Sequence, residues 1–343
     1  MRWVWLDGFE TTSTPSMTLQ RRYGTSGTVA AAAGRKGGAS LSRTATGTLV
    51  LSPQMTPAVS VDPLVGFGLW FKDANDSRLV YFRRLGSEQA ALWLVRESAT
   101  ACRLEVRRGA TVLGASDSLP AEAWLFIEIW IRVHDSLGAF ELRIDQVPVL
   151  EASGIDTKLS GNAGVDSIEL HLAVASGGEI RLDDLFILDG ATDHDFQGDI
   201  ATVISHPLAA GFKQEWTPVP TSPDNVDRVN DLDPDDDTAY VRSLSGGHDD
   251  LFEVDPLGDR LGGGIAAIAL ATMARIESSS PPNRSIRSIM KHKEEADVVL
   301  DDDTLVLPDL NYHDDVGVRK ADAHGNAWER QALDTHEFGY RSA

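Results

Sequence analysis

The stretch DLDPDDDTAY (231–240) places Asp231, Asp233, Asp235, Asp236 and Asp237 within seven positions. Calcium takes about 6–8 oxygen ligands, so Asp233, Asp235, Asp236 and Asp237 are candidate calcium ligands, and calcium is the one candidate cofactor. The stretch lacks the glycine and closing glutamate of an EF-hand loop, and a solvated acidic loop explains the same residues. RLDDLFILDG (181–190) raises a similar question with three aspartates in ten residues. Leu182, Asp184, Phe186 and Leu188 share one parity, and Leu185 and Ile187 share the other. A run apolar on both parities and closed by Gly190 reads as a strand covered on both faces, with the aspartates at its polar edges.

Sheet-based retaining glycosidases need carboxylates two and three residues apart on one strand, because period-two alternation aims them into one cleft. Glu-x-Asp occurs at Glu253/Asp255 and Glu295/Asp297, but Gly258 and Leu300 stand where a final glutamate would be. No Gly-x-Ser-x-Gly elbow, zinc motif, phosphate loop or dinucleotide fingerprint is present. Cys102, in ATACRLEVRR, has no nearby histidine to activate it and reads as a small buried residue. No catalytic residue is assigned. Most of the eight tryptophans lie in strand-like runs, whereas Trp216 (KQEWTPVP) and Trp328 (NAWER) lie in loop-like ones and are the candidate ligand contacts.

The elements that would position these residues are strands. RWVWLDGFE, VGFGLWFKD, RLVYFRR, AALWLVRE, CRLEVRRG and AWLFIEIWIRVHD follow one another with short polar turns between them. In the last run Leu125, Ile127, Ile129, Ile131 and Val133 form a wholly aliphatic face that must meet a core. This rhythm predicts an antiparallel sandwich or barrel. After a polar bridge at 191–198 the text restarts, predicting a first domain over 1–192 and a smaller β-rich domain over 193–343. In the second, GGGIAAIALATMARIES fits either a buried strand or a helix, with the strand favoured, and the tail NAWERQALDTHEFGYRSA reads as partly helical.

The 343 residues suffice for two cores, and one cysteine excludes a disulfide within the chain. A net charge of −21 argues against a nucleic-acid partner, which needs clustered basic residues. No apolar run reaches the length of about 18 residues that spans a bilayer, and MRWVWLDGFE is not a signal peptide. Membrane insertion is not expected, and synthesis is expected in a cytoplasm.

Taken in order, WLDGFE, GRKGGASLS, VGFGLWFK, AWLFIEIWIRVHDSLGAFELRIDQVPV, GIDT and IRLDDLFILDG resemble the layout of a concanavalin A-like lectin/glucanase jelly-roll sandwich. With GDI (198–200), EWTPVP (215–220), DDDTAYV (235–241) and DDLFEV (249–254), the chain resembles structural proteins of tailed bacteriophages that carry this fold. The resemblance implies a non-enzymatic virion component, such as a tail fibre, a tail-associated protein or a capsid decoration. It also implies other virion proteins as partners, homo-oligomers in the particle, release by host lysis, and a host-surface glycan as candidate ligand. The alternatives are a glycan-cleaving enzyme of the glucanase-like class, with Glu128 or Glu141 as its carboxylates, and a soluble calcium-dependent lectin. In such sandwiches the first and last strands lie side by side, so RWVWLDGF is expected beside DDLFILDG, with Asp183 and Asp184 at a strand entrance.

Overall fold

A computed structural model describes residues 2–9, 23, 29–53, 62–162, 164–191, 195–230, 237–256, 264–276, 284–295, 299–300, 304–307, 310, 313–329 and 331–343. The chain divides into two units, Met1–Thr202 and Val203–Ala343. The division falls about ten residues beyond the expected 192, because residues 197–202 bond back onto the first unit. Gln197 and Gly198 donate backbone N–H groups to Glu128, and Thr202 donates one to Asp184.

Among the described residues the first unit is built of strands, apart from the helical Tyr23. Its strands are β1 (Arg2–Asp7), β2 (Ala30–Ala33), β3 (Ala39–Arg43), β4 (Gly47–Leu51), β5 (Leu64–Ala74), β6 (Ser77–Arg84) and β7 (Ser87–Ser98). They continue as β8 (Ala101–Arg108), β9 (Thr111–Ala115), β10 (Leu119–Pro120), β11 (Leu125–Arg132), β12 (Gly138–Ile144), β13 (Val147–Ile155) and β14 (Ser167–Asp189). All pair antiparallel, and β14 belongs to both layers of the sandwich. Its first half pairs with β6 and β4, and the first layer runs β10-β8-β7-β6-β14. Its second half pairs with β5, β3 and β1, and the second layer runs β14-β5-β11-β12-β13. Trp3 and Leu6 of β1 stand opposite Leu188 and Phe186, with an irregularity between Trp3 and Trp5 that shifts the register by one residue.

The aliphatic face of β11 is buried, with Ile127, Ile129 and Ile131 fully removed from solvent, each contributing about 1.5–3 kcal/mol of transfer free energy. The opposite face, Phe126, Glu128 and Trp130, is buried as well. It is covered by the chain itself: Phe196 lies on Arg143, and Trp130 Nε1 donates to the Ala191 carbonyl at 3.1 Å. Gly66 and Gly68 of β5 stand opposite Glu128 and Phe126 and leave room for what lies above. The Phe186 ring fills the space over Gly66, 5.4 Å from Trp3 and 6.3 Å from Phe126 between ring centres.

The second unit contains β15 (Pro207–Gln214), β16 (Thr217–Val219), β17 (Tyr240–Arg242), β18 (Asp249–Val254), β19 (Ile268–Ala274), β20 (Arg284–His292), β21 (Val299–Leu300), β22 (Leu305–Leu307), β23 (His313–Arg319), α1 (Ala332–Thr335) and β24 (His336–Ser342). One sheet runs β15-β18-β24-β20-β21, with β22 also on β20, and β16–β17 and β19–β23 pair separately. The Ile268–Ala274 run is a strand, as its pattern suggests. The tail keeps only the single turn α1 before becoming β24, which pairs with both β18 and β20. ALDT keeps its helical turn, and the two flanking ladders hold HEFGYRS, which follows it, extended. Among the described residues no helix is long and apolar enough to cross a membrane.

A Cβ added at Gly66 would lie 2.1 Å from Phe186 Cε1. Gly66→Ala is expected to lower stability by about 1–3 kcal/mol through overpacking. Urea unfolding should show a lower midpoint at an unchanged m-value.

Candidate functional site

Asp183 and Asp184 do not stand at a strand entrance; they lie inside β14, and Asp189 is its last residue. A bulge between Asp183 and Phe186 breaks the register with β5, and Asp184 adopts φ 50°, a left-handed conformation that aspartate tolerates better than most residues. The bulge aims Asp183 and Asp184 at one residue, Arg35. The Arg35 backbone N–H donates to Asp183 Oδ2 at 2.7 Å, and its Nη2 and Nε donate to Asp184 Oδ2 at 2.7 and 3.1 Å. The guanidinium also bonds Asp199 and the Ile200 carbonyl and lies 4.6 Å from the centre of the Phe126 ring. Burial raises the pKa of Asp184 despite its bonds to Thr202 N–H and Arg35. Burial acts the same way on Asp199, but Lys36 and Arg35 outweigh it and hold that carboxyl below its usual range.

Glu128 lies nearby on β11. Its Oε1 accepts the N–H groups of Gln197 (2.7 Å) and Gly198 (3.2 Å), while Oε2 has no hydrogen-bond partner. Burial, opposed by those two N–H groups, pushes its pKa up to about 7. Glu128 is only 1% exposed, and Glu141 is tied to Arg143 at 2.6 Å. The two carboxylates proposed for an enzyme are therefore both embedded.

The other layer presents a different surface. Tyr81 on β6, Trp93 on β7, Arg103, Glu105 and Arg107 on β8, and Glu169 and His171 on β14 share the outward parity. Trp93 lies between Arg107 (4.5 Å) and Arg78 (4.9 Å), and Tyr81 between Arg78 (5.2 Å) and Arg83 (5.4 Å). His171 meets the Tyr81 ring edge-on at 5.3 Å. Glu105 takes both neighbouring arginines, from Arg103 at 2.7 Å and from Arg107 Nε at 2.6 Å. Burial works against ionisation of Glu105, but the two guanidiniums prevail and its pKa is lowered. Arg83 bonds Glu169, which accepts His171 Nε2 at 3.0 Å when that nitrogen is protonated. Burial and the Glu88 carboxylate raise the pKa of the Tyr81 hydroxyl. The result is a row of half-exposed rings and guanidiniums across four strands, with its charges paired internally. The sequence shows its origin in RLVYFRR, ALWLVRE and CRLEVRR, where aromatic and charged residues recur on one parity, but not how those strands align.

The sequence-level candidates are placed elsewhere. Trp328 is buried, packs with Met290, Leu333 and Phe338, and donates Nε1–H to the Arg319 carbonyl at 3.1 Å. Trp216 is half-buried against Tyr340 and donates to the His248 carbonyl at 3.0 Å. Both rings are part of the second unit's packing, and neither is an exposed platform. Asp233, Asp235 and Asp236 lie outside the described residues; Asp237 pairs with Arg275. Glu253 pairs with Lys293 at 3.0 Å. Cys102 is buried, and burial raises its thiol pKa to about 11, the opposite of what a nucleophile needs.

The chain matches no protein-family model and no curated protein. Among solved structures it is similar to an endo-β-1,4-glucuronan lyase from the fungus Trichoderma reesei, at 13% identity over 47% of this chain and 87% of that one, with a TM-score of 0.36. It is also similar to the carbohydrate-binding module CBM66 from Bacillus subtilis, at 12% identity over 46% and 90%, TM-score 0.30. A third is an apo Crh5 transglycosylase, at 10% identity over 55% and 85%, TM-score 0.39.

Glu128 gives the first unit a pH signature. The fold favours its protonated form, so its contribution to stability is largest below the ordinary value of 4.5, falls as pH rises towards about 7, and levels off above. Glu128→Gln is expected to remove that fall. Urea unfolding should show the variant matching the parent near pH 4 and exceeding it by about 2–3 kcal/mol at pH 8.

Proposed function

We propose that the first unit is a non-enzymatic, glycan-contacting β-sandwich, and that the chain is a structural component of a tailed-bacteriophage particle, present in several copies on the tail or head surface. The aromatic–guanidinium row over β6, β7, β8 and β14 carries the glycan part of this reading. Sugars present C–H faces that stack on aromatic rings and hydroxyls that both donate and accept. Trp93 and Tyr81 offer the rings, and the paired Arg103, Arg107, Glu105 and Glu169 offer donors and acceptors without net charge to exclude a neutral ligand. The order of sequence elements from WLDGFE to DDLFEV supports the virion part.

Absence of turnover follows in this reading from the embedding of Glu128 and Glu141. One observation favours a glycan-cleaving enzyme instead: a carboxyl with pKa about 7 is what a general acid requires. Its burial beneath Gln197 and Gly198, whose N–H groups already occupy Oε1, weighs the other way.

The test is a glycan array probed with the full chain and with Trp93→Ala, followed by titration of any ligand found. The variant should bind at least about tenfold more weakly, the equivalent of 1.4 kcal/mol, while its far-ultraviolet dichroism is unchanged. A reducing-sugar assay on the same glycans should show no release. Binding that survives Trp93→Ala would move the site elsewhere, and release of sugar ends would establish the enzyme. Mass spectrometry of purified phage particles should find the chain at a fixed copy number.

A further inference from the structure

The second unit brings three imidazoles and a carboxylate together at one end of its sheet. His292 ends β20 and His336 begins β24, and the two stand opposite each other in register. The turn Asp322–Asn326 folds over them. Asp322 Oδ1 accepts the N–H groups of His324 (2.9 Å) and Asn326 (2.8 Å), which closes the turn and leaves Oδ2 with one long contact, to Asn326 Nδ2 at 3.4 Å. One donor atom from each of Asp322, His324 and His336 lies within 4.8 Å of the others. The His292 ring centre is 5.0 Å from those of both His324 and His336.

The hydrogen bonds around His324 and His336 set which nitrogen of each ring carries the proton. His336 is buried, and its Nδ1 lies 2.6 Å from the Ala332 carbonyl, so Nδ1 carries the proton and Nε2 keeps its lone pair. That lone pair meets only a long contact from the Ala323 N–H, at 3.4 Å. His324 Nε2 lies 2.7 Å from Glu295 Oε1, so Nε2 carries the proton and Nδ1 is left 3.9 Å from Asp322 Oδ2. An imidazole whose outward nitrogen donates to a carbonyl or carboxylate is the arrangement that orients metal-binding histidines and raises their basicity. Trp328 and Phe338 pack against His336 from behind and hold its ring in place.

We infer that Asp322, His324 and His336 form a binding site for a divalent transition metal of the zinc class, held by one carboxylate oxygen and two imidazole nitrogens. Two imidazoles select against calcium and magnesium, which prefer oxygen throughout. Three protein ligands leave a further position open to water or to another molecule. His292 walls the site, with its Nδ1 accepting the Glu294 N–H at 3.3 Å. The metal would tie the Asp322–Asn326 turn to the start of β24.

The experiment uses the untagged full chain, stripped with chelator and titrated with zinc chloride by calorimetry, and with cobalt(II) followed by visible absorption. One equivalent of zinc should bind saturably and raise the melting temperature, and cobalt should give d–d bands of a low-coordinate site. His324 is exposed, so His324→Ala should fold normally, and it should weaken zinc binding by at least about 100-fold. Glu295→Gln should weaken it by about tenfold, since partners of ligating histidines typically matter at that level. Calcium chloride at equal concentration should produce neither the heat nor the shift in melting. No saturable equivalent in the parent chain, or an equivalent unchanged in His324→Ala, overturns the assignment.

Discussion

Arg35 and the bulge in β14 hold the first unit's two layers in one frame. A single 23-residue strand, Ser167–Asp189, serves both layers, so its path decides where every neighbour lies. At the bulge it carries two adjacent buried aspartates, an arrangement that would be costly if either carboxylate lacked a partner. Arg35 reaches both, with its backbone N–H on Asp183 and its side chain on Asp184, and extends to Asp199 beyond. Gly68 makes this geometry available, since a Cβ there would lie 3.0 Å from Arg35 Nε. Glycine on β5, the bulge on β14 and the arginine from the 34–38 loop are one device.

Two glutamates on central strands show how environment divides identical chemistry. Glu105 and Glu128 are 2% and 1% exposed. Glu105 is flanked by two guanidiniums and its pKa falls below the ordinary range; Glu128 receives two backbone N–H groups on one oxygen, none on the other, and rises to about 7. Backbone dipoles on one oxygen do not offset the loss of water from the whole group, whereas two full charges do. The same contrast recurs in the second unit. Asp249, paired with Lys213 and Arg341, lies below its usual range, and its neighbour Asp250, bonded to the neutral Asn225 amide, is pushed up to about 6.

What the sequence reveals about this fold follows from the range of the interactions involved. Period-two alternation is local, so the strands, including the one at Ile268–Ala274, were legible, whereas the pairing of RWVWLDGF with DDLFILDG was expected only from the resemblance to concanavalin A-like sandwiches. Burial of both faces of β11 was not legible, because the second face is covered by residues 195–202, some seventy positions away, and their attachment also moves the domain division. The tail divides for a related reason. ALDT keeps one helical turn, as its residues suggest, but HEFGYRS is held as β24 by ladders from β18 and β20 that lie far off in sequence.

Candidate sites divide along the same line. The run at 231–237 draws the eye because five of its seven residues are aspartates, a feature of sequence adjacency alone. Trp216 and Trp328 stand in loop-like text, yet tertiary packing claims both. The histidines at 292, 324 and 336 lie 32 and 12 residues apart, with no local pattern to mark them. Antiparallel pairing of β20 with β24 sets His336 opposite His292, and the turn closed by Asp322 delivers His324. A donor set of two imidazoles and one carboxylate, with the outward imidazole nitrogens of His324 and His336 bonded to Glu295 and the Ala332 carbonyl, suits a transition-metal cation.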